Sequence, residues 1–492
     1  MDNRTNTDGL PPLIGDFFTE AKGYMDNVFA DTWKQLNLNR HIQKAGLSKR
    51  RGFGIGETVY LLLLWNWLNV SSIAMFSKKA LGLFSQGKKD VLYDQLKRED
   101  ANGRALNIQT AKEVYRQHQL STCQYKALVL DDSIKTRRGK KQEGVCWHFD
   151  HVRGKKVKGQ QVLTLGLATE EAFLPVDSQL FISQSQANGL NRAYRDGRSF
   201  AAKRYQEARQ QTKRQIADDM VKRTLRNGLH ADYLLADAWF GTKAMIQTAV
   251  NMGLCGVFRM KKGPLRYRYR EAGKTLLLNA QQLYKYAIKG HWKKVDHMPW
   301  KAVSLEVEVA LGEGEDMYWR AVKLLFVRGV QAPGEPDVGK KDWALFLSTD
   351  VNISISQMLQ VYALRWAIEV YFKEAKQHLG WLKEQTSTFA SHTASIHLCA
   401  MRYLMLVHNK LAYESMKIGE IRSNIQEQLD AMSFAAKLWQ CFRTVISGVL
   451  RELKNQLGCS EQTIIAAMDD KIQEFFLKSL QLDSFTLQLE YE

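Results

Sequence analysis

The sequence predicts an α/β fold: a mixed sheet flanked by helices, interrupted by a β-rich insertion, with helical regions at both ends of the chain. Two short apolar runs, at residues 126–130 and 232–236, have the length of buried strands, and each leads into an aspartate. Three strand patterns follow one another between residues 126 and 183, which indicates an antiparallel meander. Before about residue 120 and after about residue 390, apolar residues recur at helical spacing.

Residues 1–120 are predicted to be a helical DNA-binding region. Phe17, Phe18, Ala21, Tyr24 and Met25 recur at helical spacing, and later short helices are separated by glycine-rich turns. Such helices could form a helix-turn-helix, although an ordinary bundle with a basic face fits the same pattern. The most apolar window, residues 59–76, includes Asn66, Asn69, Ser71 and Ser72, so we expect a buried helix there and no membrane span.

Residues 121–260 and 341–390 are predicted to form the two parts of one catalytic core. The first part has strands at 126–130, 162–168, 173–183, 232–237 and 256–260, and helices at 201–228 and up to about 252. The second part has a strand at 343–349 and a helix at 362–376. Between them, residues 261–340 read as a β-rich insertion, and residues 391–492 as a helical region that could support dimerisation.

The helix predicted at 362–376 places polar side chains along one edge of an apolar face. At about 100° per residue, Tyr362, Arg365, Glu369 and Lys376 fall within a sector of roughly 60°. Trp366 and Lys373 flank that sector. A surface helix with ion pairs four residues apart would give this pattern. So would a phosphodiester site, in which a carboxylate binds a divalent cation and nearby cations bind phosphate oxygens.

A metal site needs further carboxylates, and the two apolar strands supply them. Asp132, or its neighbour Asp131, ends the first strand, and Asp237 ends the fourth. If these strands are adjacent, the two aspartates meet, and Glu369 on the later helix completes a triad. Three carboxylates suit two Mg²⁺ ions about 3.5–4 Å apart, and Mn²⁺ also fits oxygen-only ligands. Each aspartate alone could equally be a cap or turn residue.

The charge balance indicates a polyanionic partner. The chain has 492 residues and a net charge of +19, from 70 Lys and Arg against 51 Asp and Glu. Nucleic acid is the first candidate and an anionic membrane surface the second. Basic residues alternate with aromatic ones at residues 135–158 and 261–270, which fits contact with a DNA backbone or a solvated positive loop. The six cysteines form no C-x-x-C pair, so neither a zinc ribbon nor a disulfide framework is indicated.

The spacing Tyr362-x2-Arg365-x3-Glu369-x6-Lys376 resembles the Tyr-Arg-Glu-Lys signature of DDE transposases in insertion-sequence family 4. The strand and aspartates ending at Ser133, the strand and turn around Asp237, and the β-rich insertion are also similar to that family. The resemblance covers roughly residues 120–390. It implies an RNase H-like catalytic domain that is interrupted by the insertion before the catalytic glutamate.

The resemblance also implies roles for individual residues. Asp132, Asp237 and Glu369 would be the catalytic and metal-binding triad; Asp132 is preferred over Asp131 because it precedes Ser133, although Asp131 stays a rival. Tyr362, Arg365 and Lys376 would contact phosphates, and Lys373 would add a further DNA contact. Trp239 and Trp366 are candidates for stacking on a flipped base, with core packing as the alternative.

The expected function is Mg²⁺-dependent cleavage at transposon ends, followed by strand transfer into target DNA in cut-and-paste transposition. The expected partners are inverted-repeat DNA at the transposon ends, target DNA and a second copy of the chain in a synaptic complex, with no membrane. A bacterial cytoplasmic, nucleoid-associated location would follow. Two alternatives are a catalytically inactive or domesticated sequence-specific DNA-binding protein, and an RNase H-like nuclease that cuts without strand transfer.

Overall fold

A computed structural model describes most of the chain. The described residues are 28–49, 51–68, 70–85, 87–150, 154–183, 187–295, 300–329, 343–384, 386–413, 416–452 and 464. The helical pattern predicted at residues 17–25, the segment 330–342 and nearly all of the predicted helical region after residue 452 lie outside them.

The chain divides into two compact units. The helical unit comprises Met1–Thr110, Arg192–Ala201 and Ala375–Glu492, and the sheet unit comprises Ala111–Asn191 and Ala202–Glu374. The regions predicted as separate helical domains at the two ends of the chain therefore contribute to one unit. Sequence patterns could not join them, because the residues that meet are several hundred positions apart.

The described part of the helical unit is built from helices at both ends of the chain. They are α1 (Val28–Gln35), α2 (Leu38–Lys44), α3 (Ile55–Leu64), α4 (Ile73–Lys79), α5 (Leu81–Phe84), α6 (Lys89–Leu96), the first half of α7 (Gly103–Gln117), α14 (Phe389–Ala412) and α15 (Ile418–Glu452). The fully buried Arg402 of α14 donates hydrogen bonds to the carbonyls of Leu62 and Leu63, at the end of α3, and to Leu379 O at 2.8 Å. These bonds satisfy carbonyls that a helix end leaves without an intrahelical partner.

Most described residues of the apolar window 59–76 are buried, but the window is not one helix. It spans the end of α3, a 3-10 turn at Trp65–Trp67 and the start of α4, whose N-cap Ser72 accepts a hydrogen bond from Met75 N. Across the described ranges, every helix is too short or too polar to span a bilayer.

The sheet unit contains a sheet that has 12 strands in the described residues, in the order β2-β3-β1-β5-β6-β12-β11-β10-β7-β8, with β4 on β3 and β9 on β10. β1 and β5 are parallel neighbours, as are β5 and β6, and the remaining pairs are antiparallel. The strands are β1 (Ala127–Thr136), β2 (Cys146–Asp150), β3 (Lys155–Ala168), β4 (Phe173–Phe181), β5 (Tyr233–Ala236), β6 (Cys255–Met260), β7 (Arg266–Glu271), β8 (Lys274–Asn279), β9 (Lys293–Lys294), β10 (Trp300–Leu311), β11 (Tyr318–Gly329) and β12 (Trp343–Ser348). The predicted mixed sheet flanked by helices is confirmed.

The helices of the sheet unit accompany this sheet in the chain order β4-α8-α9-β5-α10-β6. They are α8 (Phe200–Gln210), α9 (Lys213–Arg226), α10 (Lys243–Asn251), α11 (Ala280–Ala287), α12 (Ile355–Ala363) and α13 (Trp366–Gln377), of which α8 and α13 extend into the helical unit. The central strands are covered on both faces, because residues 127–130 and 234–236 are completely buried. Burial on both faces explains why these strands are continuous apolar runs without alternation.

The described strands of the predicted insertion, β7 to β11, extend the central sheet. β11 pairs with β12 and, on its other side, with β10 over the whole length of both strands. β6 and β12, which flank the segment in sequence, are themselves antiparallel neighbours. The segment is thus inserted between two paired core strands, and its own strands continue their sheet outward.

Two helices predicted as continuous are interrupted. The pattern at 201–228 divides into α8 and α9, because Thr212 and Gln215 form a reciprocal capping box that starts a new helix. The pattern at 362–376 divides between α12 and α13. There the amides of Leu364 and Arg365 bond to carbonyls three residues back, which closes a tight turn in place of an α-helical one.

Candidate active site

Asp131 and Asp237 follow the last residue pair that joins the parallel strands β1 and β5. β1 continues beside β3 to Thr136, so the prediction that an aspartate ends the first strand is wrong. In the pairing of β1 with β5, Leu130 is opposite Ala236, so the next residue of each strand is an aspartate. Residues in register across adjacent strands project from the same face of the sheet. The predicted adjacency of the two strands is therefore present, and it brings Asp131 to Asp237.

The Asp131 carboxyl is half-buried and lies near other negative charges. Burial and the charge of Asp237 raise its pKa to about 7, while a hydrogen bond from Asp132 N at 2.7 Å acts in the opposite direction. A neighbouring negative charge disfavours ionisation of a carboxyl group, and a cation beside Asp131 would favour it. The pair therefore has the electrostatic character of a cation site.

Asp132 projects from the opposite face of β1, because successive strand residues alternate. Its carboxylate accepts a hydrogen bond from Gln161 Nε2 at 2.8 Å and forms an ion pair with Lys213 Nζ at 2.7 Å. The nearby His148 is buried, and burial together with the charge of Lys213 lowers its pKa to about 4. The structure thus corrects the preference for Asp132 over Asp131 as the partner of Asp237, since the strand register turns Asp132 away.

The turn after β5 is fixed by Asp237 itself. Its Oδ1 accepts hydrogen bonds from Trp239 N at 3.0 Å and from Phe240 N at 3.3 Å. Gly241 closes the turn against Arg259 O, where a Cβ atom would collide with the backbone. Trp239 is 36% exposed, with Lys213 Nζ 4.1 Å from its ring centroid. Trp239 is therefore beside the aspartate and partly open to solvent, in contrast to the core-packing alternative.

Arg365 connects Asp131 to Glu369. Its guanidinium hydrogen-bonds the Glu369 carboxylate and lies 3.6 Å, Nη1 to Oδ2, from Asp131. Arg365 stands in the turn before α13, and Glu369 is on the first turn of that helix. The break between the helices thus directs a guanidinium between two carboxylates that belong to different elements.

Tyr362 lies beside this group, at the end of α12. Its ring packs edge-on against Phe346, with centroids 4.8 Å apart, and its hydroxyl is influenced by the charges of Arg365, Arg259 and Asp237. Burial raises the pKa of the phenol to about 12, so it stays protonated and can donate a hydrogen bond.

The other predicted DNA-contacting residues are on α13. Trp366 is 62% exposed and Lys373 is exposed, so neither packs in the core. Lys376 belongs to the last turn of α13, within the helical unit, where its Nζ lies 5.5 Å from the centroid of Trp381.

The donor set suits a hard divalent cation. Asp131 and Asp237 offer carboxylate oxygens where the pairing of β1 with β5 ends, and the Glu369 carboxylate lies on the other side of Arg365. In the conformation described here, no three His, Cys, Asp or Glu side chains of the described residues are close enough to hold a metal together. Arg365 occupies the position between the carboxylates, and it supplies the positive charge that a cation would otherwise bring.

Sequence reasoning missed Lys213 and Gln161, the partners of Asp132. Neither residue stands in a motif, and both reach Asp132 only through tertiary contacts. The choice between Asp131 and Asp132 could have been made from the expected strand register. If the strand ending at Ala236 pairs in register with the one ending at Leu130, only the first aspartate after Leu130 faces Asp237.

Two protein-family models match the chain. One, described as DDE superfamily endonuclease, matches residues 85–272, and one, described as Transposase DDE domain, matches residues 196–405. A comparison with curated proteins found no matching sequence. The matched ranges include β1, β5 and α13, and the mixed sheet flanked by helices is consistent with an RNase H-like domain of this kind. The matches indicate an endonuclease or transposase function, and residues 196–405 are similar to a Transposase DDE domain.

Proposed function

We propose that the protein is a DNA transposase that cleaves DNA at transposon ends and joins the released ends to target DNA by a cut-and-paste route. The in-register pairing of Asp131 with Asp237, linked through Arg365 to Glu369, supports this proposal most directly. It relates three carboxylates from β1, β5 and α13 to one another, with Arg365 between Asp131 and Glu369.

In this proposal Asp131, Asp237 and Glu369 are the catalytic carboxylates. Asp131 replaces Asp132 because it shares a sheet face with Asp237, whereas Asp132 is engaged by Lys213. The hydrogen bonds from Trp239 N and Phe240 N orient the Asp237 carboxylate and leave its second oxygen for a ligand. Glu369 would turn from Arg365 toward the aspartates when DNA and metal are bound.

These three residues would hold Mg²⁺, with Mn²⁺ as a substitute. When bound, the metal would activate the attacking oxygen and stabilise the charge that develops on the scissile phosphate. Arg365 would then move its hydrogen bonds to phosphate oxygens, for which its planar donor group is suited. The protonated Tyr362 hydroxyl would donate a hydrogen bond to the same phosphate region.

The remaining DNA contacts are proposed from exposure and charge. Trp239 and Trp366 present partly open indole rings for stacking on bases, and Lys373 and Lys376 supply cations along α13. The partners would be inverted-repeat DNA at the transposon ends and target DNA. Two copies of the chain would pair two ends in a synaptic complex, which sedimentation of the protein with end DNA would test.

An excision assay in cells tests this proposal. The DNA ends that flank the gene are placed around a selectable marker, and either the natural protein or Glu369→Gln is supplied. The natural protein should excise and reinsert the marker, and the variant should bind the ends but leave them uncut. Glutamine keeps the size of the side chain but lacks the charge that a divalent cation requires.

Other outcomes have definite meanings. Excision by both proteins would remove Glu369 from the catalytic role. Binding without excision by either would favour an inactive DNA-binding protein. Cleavage of end DNA by the purified protein without joining to a target would favour a nuclease.

A further inference from the structure

Two aromatic side chains are exposed side by side on β2. Trp147 is 45% exposed and Phe149 is 50% exposed. His148, which lies between them, and Cys146, which precedes them, are buried. The alternation means that both rings project from one face of the sheet. Burying rings in the core is the usual use of aromatic residues, so an exposed adjacent pair suggests a ligand.

Basic side chains surround these rings. Across the antiparallel pairing with β3, Trp147 is directly opposite Lys158, and Phe149 is opposite Lys156. Arg137, just after β1, bonds through its backbone amide to Lys158 O and through Nε to Gln160 Oε1, which places it on the same face. Lys135 is opposite Gln160 and belongs to this face as well.

The same side of the sheet carries Asp131, with the buried Ser133 and Gln160 between it and the rings. On β1, Asp131, Ser133 and Lys135 alternate onto one side of the sheet, so the side that carries Asp131 also carries the basic and aromatic group. Trp147 is level with residue 137, which is roughly 20 Å from Asp131 along the strand. Among the described side chains at 133–137, 147–149 and 156–160, those on this face include no carboxylate.

We propose that Trp147, Phe149, Lys156 and Lys158 form a binding surface for an unpaired DNA strand. Two adjacent rings on a strand can stack on successive bases, and the cross-strand lysines can contact the intervening phosphates. A paired duplex hides its base faces and would gain little from the rings. The identity of the nucleic acid rests on the proposed transposase function, in which cleavage exposes unpaired DNA near Asp131.

Binding of oligonucleotides to the full chain in EDTA tests this surface without any cleavage. The probes are a labelled oligothymidylate of about 20 nucleotides and a duplex of equal length, followed by fluorescence anisotropy. Trp147→Ala/Phe149→Ala should weaken oligothymidylate binding at least about tenfold and duplex binding less than about threefold. Trp147→Phe/Phe149→Tyr should restore most of the affinity, because the rings are retained.

Controls separate this surface from general DNA binding. Phe200→Ala removes a comparably exposed ring elsewhere and should leave oligothymidylate binding unchanged. Lys156→Gln and Lys158→Gln should each lower the slope of log affinity against log salt by about 0.7. Thermal melting of each variant verifies folding. The assay in EDTA contains no cleavage step, so a failure of the catalytic assignment stays distinct from a failure of this surface.

Three results would overturn the proposal. One is unchanged oligothymidylate affinity in the doubly substituted protein. Another is an equal loss for the duplex and for the unpaired strand. The third combines two observations: the natural protein sediments as a dimer, and the doubly substituted protein sediments as a monomer that still binds oligothymidylate. The surface would then be an interface between two copies of the chain.

Discussion

At the residue scale, two adjacent aspartates have opposite surroundings. Asp131 meets Asp237 and Arg365, and Asp132 meets Lys213 and Gln161. No difference in residue type separates them, because the distinction comes from the side of β1 that each one faces. Their chemistry in the proposed reaction should therefore differ sharply, and substitution of each by asparagine makes a matched comparison.

Asp131→Asn should lower the rate of end cleavage at least about a hundredfold. A metal held at a reacting phosphate contributes several kcal/mol, and each 1.36 kcal/mol corresponds to about a factor of ten in rate. Purified protein and a labelled transposon-end duplex in Mg²⁺ give the rate, and binding of the same duplex in EDTA shows that the site still forms.

Asp132→Asn should lower the stability of the protein and leave the cleavage rate nearly unchanged. It leaves Lys213 without its ion-pair partner and should cost about 1–3 kcal/mol of stability, seen as a lower melting temperature. Cleavage by the folded protein should stay within a few-fold of the natural rate. If Asp132→Asn abolished cleavage and Asp131→Asn did not, the assignment of Asp131 would be refuted.

Loss of Arg365 should affect DNA binding more than it affects folding of the site. Arg365→Ala should weaken binding of a transposon-end duplex in EDTA by about tenfold, the value of one charge-assisted hydrogen bond to phosphate. Arg365→Lys should recover only part of this loss, because an ammonium lacks the planar pair of donors. Equal affinity of all three proteins would contradict a phosphate contact by Arg365.

At the element scale, the site depends on how strands end and helices begin. Asp237 is oriented by the turn that follows β5, and Arg365 by the turn that separates α12 from α13. A continuous helix at 362–376 would have put Tyr362 and Arg365 on one straight face. The break instead allows Arg365 to reach back to Asp131 on β1 while it holds Glu369.

Gly241→Ala should disturb the site through the turn after β5. An added Cβ would collide with Arg259 O, so the turn that carries Trp239 must move away from β6. We expect a loss of about 1–3 kcal/mol in stability, as for other overpacked sites, together with slower end cleavage. Gly263→Ala is the control, because a Cβ there meets only Lys261 Cβ at 4.0 Å, and it should alter neither melting temperature nor cleavage rate.

At the scale of the whole molecule, the net charge of +19 should govern DNA affinity. If six to ten phosphates are contacted, raising salt from about 50 to 200 mM should weaken duplex binding by about 10³- to 10⁵-fold. Glu369→Gln should give the same slope, since it removes a carboxylate and no phosphate contact. A slope near zero in titrations across this range would show that the basic surface does not neutralise the DNA backbone.

The sequence by itself determined the class of fold and the residue types of the site. Apolar strands that end on aspartates, helical spacing at both ends and the Tyr362-to-Lys376 spacing are local patterns, and local patterns set strands, helices and their exposed faces. They predicted the mixed sheet and the buried face of α13, where Ile368, Tyr371 and Ala375 are almost completely buried. They placed the end of the first strand too early, because β1 continues past Asp131 to Thr136.

Only the tertiary structure decided how these parts combine. A shift of one residue in strand register exchanges the two faces, so the selection of Asp131 required the actual pairing of β1 with β5. Grouping of the two terminal helical regions in one unit, extension of the sheet by β7 to β11 and the bridge made by Arg365 all join residues far apart in sequence. Such contacts depend on long-range packing and on where turns interrupt a periodic pattern, and neither is encoded within a single segment.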